Sequence, residues 1–133
     1  MGNDRIDLTE QRYFAVPPVF NPDEGKTVLA PEGKGYGYWV GGYSVVFDPA
    51  GKKFYLYYRV RSPLGKGRGV KCRIAESKDG VKFTDIWEAT KEELDAESIE
   101  VASPIKDPAT GRCRLYISYQ MHHGHWRVDL IEA

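Results

Sequence analysis

The sequence predicts an all-β fold, a partial β-propeller of four-stranded antiparallel blades, on three observations. Short runs rich in β-branched and aromatic residues, punctuated by Gly, Pro and Asp, follow one another from Trp39 onward with little helical periodicity. A hairpin and the strand after it occur twice: Ser44 and Ser103 lie 59 positions apart, and so do Asp48 and Asp107. Four consecutive antiparallel strands within about fifty residues are the content of one propeller blade.

The elements follow in order. Residues 1–38 form a lead-in with a short strand at 13–16, broken by Pro17-Pro18 and Asn21-Pro22. Residues 39–97 form the first blade. Its strands fall at 44–47, 53–61, 70–75 and 82–87, with a turn at Asp48-Pro49-Ala50-Gly51 and a type I′ hairpin turn at Asp79-Gly80. A turn of helix is expected over 90–95. Residues 98–133 form a second blade with strands at 103–106, 114–119 and 126–131 and no outer strand. A propeller needs at least four blades of ~40 residues, or about 160 residues in all. These 133 residues therefore belong to a longer propeller, or copies associate through their open blade edges.

Composition narrows the function. Nineteen basic residues balance nineteen acidic ones, which argues against a nucleic-acid partner. No stretch reaches the ~20 apolar residues of a membrane span, and the first residues lack the apolar run of a secretion signal. Cys72 and Cys113 sit inside predicted strands and read as free, buried thiols of a cytoplasmic protein. Nine tyrosines and three tryptophans suit strands and sugar-binding surfaces alike. No cofactor is expected.

The run Tyr55-Leu56-Tyr57-Tyr58-Arg59-Val60-Arg61, followed by Ile74-Ala75-Glu76-Ser77-Lys78-Asp79-Gly80-Val81-Lys82-Phe83, resembles the five-bladed glycosidase propellers. These are the arabinofuranosidase/xylosidase and fructosidase families and the mannoside phosphorylases, and the span from Trp39 to Ala133, about two thirds of the chain, is most similar to uncharacterised bacterial members. The resemblance implies a partial five-bladed propeller, a carbohydrate partner, and an active site at the end of the channel where the innermost strands begin. Two blade starts depart from the pattern. The phosphorylases carry Glu-Asp-Pro-Arg where this chain has Ala102-Ser103-Pro104-Ile105, and the furanosidases place an Asp where it has Gly41, Gly42, Tyr43 and Ser44. A non-catalytic sugar-binding propeller is therefore the alternative to a glycoside hydrolase, and a structural half-propeller completed by self-association is a third reading.

Glycoside hydrolysis uses two carboxyl groups ~5–9 Å apart. Glu100, in the place that Gly41 holds in the first blade, is the candidate catalytic carboxylate; alternatively it caps a loop or pairs with an arginine. No second carboxylate stands out. Arg59 and Arg61 alternate with Tyr55 and Tyr57 on one strand face, opposite Phe54, Leu56, Tyr58 and Val60. They are candidates for holding a substrate or for an inter-blade ion pair. Trp39, before two glycines, offers an indole face to a sugar ring, and Tyr43 lies beside it. His122, His123 and His125 sit on a loop at the same end, where they can touch a sugar; their spacing lacks the regularity of a metal site. Trp87 and Trp126 read as blade packing. The segment 65–69 joins antiparallel strands and opens no helix, so it is not a phosphate loop.

Overall fold

The computed structural model describes residues 20–133. The proposed strand at 13–16 lies outside them. Seven strands form two antiparallel sheets: β1 (Trp39–Asp48), β2 (Lys53–Arg61), β3 (Gly69–Ser77) and β4 (Thr84–Thr90) in the first, and β5 (Ser98–Lys106), β6 (Cys113–Gln120) and β7 (Trp126–Glu132) in the second. Strand order follows chain order in both, as the meander of a propeller blade requires.

The duplication extends into the register. Val40 faces Val60 and Ser44 faces Tyr57 in the first sheet; Ile99 faces Tyr119 and Ser103 faces Tyr116 in the second, each pair displaced by the same repeat. Between those pairs both inner strands carry a bulge, two residues opposing one. Gly42 and Tyr43 bulge opposite Tyr58, and Glu100 and Val101 bulge opposite Ser118.

The blades pack face to face. Tyr57, Cys72 and Ala89 of the first meet Ile99, Ala102, Leu115, Ile117 and Tyr119 of the second, with Ala96 of the connection between them, in one buried cluster. Each large apolar side chain of this kind contributes roughly 1.5–3 kcal/mol by leaving water. The opposite face of the first blade holds a smaller cluster, Leu56, Tyr58, Val60 and Ala75, partly roofed by Leu29 of the lead-in. Glu32 fastens that lead-in through Lys71 (3.0 Å) and Arg73 (2.7 Å).

Several local expectations are corrected. The fourth strand starts at Thr84 because the Asp79 carboxylate accepts from the Val81 and Lys82 amides (2.9 and 2.8 Å) and prolongs the turn. That turn has a positive φ at Gly80 (72°) and not at Asp79, so it is not type I′. The hydroxyl and carboxylate bonds back to its amides are as expected, with Ser77 Oγ accepting from Gly80 N at 3.0 Å. No helix forms over 90–95: Thr90 ends β4 and residues 91–95 form turns. Glu93 and Thr90 exchange a capping-box pair of bonds, but Asp95 at φ 50° halts the winding. Cys72 is buried and Cys113 is exposed; both are free thiols.

Candidate functional site

The starts of β1, β3, β5 and β7 and the ends of β2, β4 and β6 converge at one end of the molecule, here called the mouth. The other end carries the two Asp-Pro turns.

At the mouth the bulges bring the blades into direct polar contact. Gly42 has a left-handed φ of 58°, and a Cβ there would sit 2.9 Å from the Glu100 carbonyl oxygen and 3.3 Å from Arg59 Nε. Glycine is what lets the first bulge lie against the second. Gly69 is tighter still, since its Cβ would overlap the Ile99 backbone and stand 2.8 Å from Ser98 Oγ. The Gly69 amide donates to that hydroxyl (3.2 Å), and Ser98 Oγ donates to Glu100 Oε1 (2.9 Å).

Glu100 forms an ion pair with Arg59 across the blade interface, both side chains 18% exposed. Arg59 Nη1 also donates to the Ile99 carbonyl (3.2 Å), and the Tyr57 hydroxyl donates to the Glu100 carbonyl (3.3 Å). Arg68 approaches the other carboxylate oxygen at 3.9 Å and donates to Gln120 Oε1 at 3.0 Å. Gln120 in turn donates to Glu97 Oε2 at 2.9 Å. Burial, then the neighbouring Arg61 and Arg68 charges, lower the Arg59 pKa from its ordinary value. Burial raises the Tyr57 hydroxyl well above its ordinary range. Tyr57 is thus a neutral hydrogen-bond donor to the bulge backbone.

Arg61 lies over the Trp39 ring, its guanidinium carbon 4.7 Å from the centroid, and Tyr36 meets the same indole edge-on at 6.2 Å. Trp39 keeps 44% of its surface exposed. Tyr43 is separated from this group. It lies on the opposite face of the first blade, along a groove of about 400 Å³ with Val40, Val45 and Leu56. His122 sits at the mouth, Nε2 at 3.3 Å from Asp95 and Nδ1 at 3.6 Å from Glu97. His123 and His125 are exposed beside it. Among the described residues no three His, Cys, Asp or Glu side chains cluster as metal ligands. Trp87 lines the cleft between the blades, whereas Trp126 is exposed on the far face of the second blade.

Sequence reasoning missed Arg68, Ser98, Gln120 and Glu97. Arg68 was hidden in a glycine-rich loop judged only as a phosphate cradle. Glu97, three residues before Glu100, is a second carboxylate in the same bonded network. The bulge at Glu100 upsets the simple alternation that would have set the two on opposite faces.

No family model matches this sequence, and no curated protein is similar to it. In structure the chain is similar to the GH43_1 enzyme from Xanthomonas citri solved with xylotriose, at a TM-score of 0.57 and 13% identity, over 78% of this chain and 31% of that one. The fold is that of part of a β-propeller. The same enzyme solved with xylose gives a TM-score of 0.56 at 13% identity and the same coverage. The chain thus spans about a third (31%) of the length of these neighbours. No helix among the described residues of this propeller unit is long and apolar enough to cross a membrane.

Proposed function

We propose that this chain contributes two blades, over residues 39–97 and 98–133, and part of the channel mouth to a propeller that binds a carbohydrate and cleaves its glycosidic bond. Glu100 is the reacting carboxylate in this reading, held by Arg59, Arg68 and Ser98. Trp39 and Arg61 form the adjoining wall, and His122, His123 and His125 form the rim. The observation that carries it is the Glu100–Arg59 pair, set at the bulge of an innermost strand beside a half-exposed tryptophan. Glu97 joins as the second acidic group through Gln120.

Chemically, guanidinium and hydroxyl donors orient a carboxylate that acts as nucleophile or base. The proton for the leaving oxygen then comes from another acid, for which Glu97 is the candidate within this chain. The neighbours were solved with xylose and xylotriose, so xylo-oligosaccharides and chromogenic xylosides are the substrates to try first. Glu100→Gln should abolish turnover while calorimetric binding of xylotriose persists; undiminished turnover in that variant dismisses the assignment.

A second reading, sugar binding without turnover, is favoured by one fact: both Glu100 oxygens are already engaged by partners in the protein. Wild-type protein that binds the oligosaccharide and never cleaves it selects this reading.

A further inference from the structure

Three loops meet at the seam between the two blades: 62–68 between β2 and β3, 91–97 between β4 and β5, and 121–125 between β6 and β7. Together they bound a hollow of about 590 Å³ at the mouth. None of its lining residues belongs to a strand, so neither outer sheet face borders it. Its polar wall is built from Arg68 of the first loop, Lys91, Glu92, Asp95 and Glu97 of the second, and His122 of the third.

The hollow and the Glu100 site share a wall. Arg68 Nη2 lies 3.9 Å from Glu100 Oε1, and Nη1 donates to Gln120, which donates in turn to Glu97. Lys91 Nζ donates to the Gly67 carbonyl (3.3 Å) and ties the first two loops. His122 stands between Asp95 and Glu97 and ties the third loop to the second. These loops carry a conformational cost. Four non-glycine residues have a left-handed φ among the described residues: Lys52 in a hairpin turn, and Arg68 (58°), Asp95 (50°) and His123 (67°), one in each loop. Arg68 also has a buried Nε–H without an acceptor among the described residues. Strain of this kind collects where loops are shaped for a ligand and not for packing alone.

We infer that the hollow is a second sugar subsite, holding the unit of an oligosaccharide that neighbours the unit at Glu100. Three nitrogen groups and three carboxylates line it, so a ligand there meets donors and acceptors in equal number. Sugar hydroxyls serve as both at once, whereas a bare cation or anion would face half the wall with the wrong charge. No tyrosine, tryptophan or phenylalanine lines the hollow, so it selects by hydroxyl pattern, while stacking is left to Trp39. The subsite rests on the carbohydrate-binding part of the proposed function and is occupied with or without cleavage.

The test is calorimetric titration of the full 133-residue chain with xylose and with xylotriose, the sugars found with the structural neighbours. Wild type should hold xylotriose at least about tenfold tighter than xylose, since only the longer sugar reaches both places. Glu92→Ala and Asp95→Gly should each weaken xylotriose binding about tenfold and leave xylose binding unchanged. Glycine adopts the left-handed φ of Asp95 freely, so that variant should melt no lower than wild type while binding less. If it does melt lower, the exposed Glu92 decides. Equal affinity for the two sugars, or variants that bind xylotriose as wild type does, overturns the subsite alone. A wild type that binds neither sugar overturns the carbohydrate reading and the subsite together.

Discussion

The two ends of the molecule treat the duplication differently. At the turn end the blades are near copies: Asp48 Oδ1 accepts from the Ala50 amide (3.1 Å) and Asp107 Oδ1 accepts from the Ala109 amide (2.9 Å). At the mouth, corresponding positions diverge in chemistry. Gly41 answers to Glu100, Arg59 to Ser118, Arg61 to Gln120, and Trp39 to Ser98. An Asx turn is a backbone device that every hairpin of this shape needs, so both copies keep it. A mouth residue is held by cross-blade partners, so each copy carries what its neighbour requires.

The comparison can be broken most severely at Gly69. Gly69→Ala drives a methyl into the Ile99 backbone, which cannot yield as a side chain can. Separation of the blades at the mouth should cost about 3 kcal/mol or more in urea unfolding. An alanine variant as stable as wild type would mean that the blades do not meet this closely.

Next in size is the Arg59–Glu100 pair. Because both side chains are partly exposed, Glu100→Gln and Arg59→Met should each cost about 1–2 kcal/mol, less than a fully buried pair would. A double-mutant cycle should return a coupling of roughly 1 kcal/mol. Additive losses would reduce the pair to a surface contact.

The smallest effects belong to the turns, and they sharpen the contrast through pH. Asp48 lies below its ordinary pKa, chiefly through the Lys106 contact at 2.6 Å and then the Gly51 and Ala50 amides. Asp107 is lowered by Thr110 and the Ala109 amide, and Asp79 falls to about 2 through the Lys82 and Val81 amides. A carboxyl depressed on folding stabilises the protein above its unfolded pKa and loses that contribution as pH falls through the folded value. Melting temperature should therefore drop between about pH 4 and pH 2. Asp48→Asn should blunt the drop more than Asp107→Asn, since only Asp48 bridges the blades. Equal effects would show the Lys106 bridge to be idle.

Much of the fold was legible because hairpins announce themselves locally. Asp48-Pro49-Ala50-Gly51 and its counterpart at 107–111 mark turns by their own chemistry, and the strands between them alternate as half-buried strands must. The site was legible in part. Glu100 and Arg59 could be named from strand position, and an arginine partner for Glu100 was one of the readings considered. Arg68, Ser98, Gln120 and Glu97 could not be placed, because their meeting depends on how one sheet lies over another. Strand 84–90 began late for a similar reason: a carboxylate's grip on two following amides is invisible in a hydropathy pattern. Cys113, expected inside, is exposed at the turn end of β6.

The paired bulges carry one more consequence. A residue inserted into a ladder has no cross-strand mate, which leaves its side chain to answer to a partner outside the sheet. One repeat bulges at Gly42 and Tyr43 and the other, one repeat position earlier, at Glu100 and Val101, while Val40↔Val60 and Ser44↔Tyr57 remain in step with Ile99↔Tyr119 and Ser103↔Tyr116. The bulge thus turns Glu100 to its cross-blade partner Arg59 and to Ser98, while the sheet that bears it keeps its register on either side.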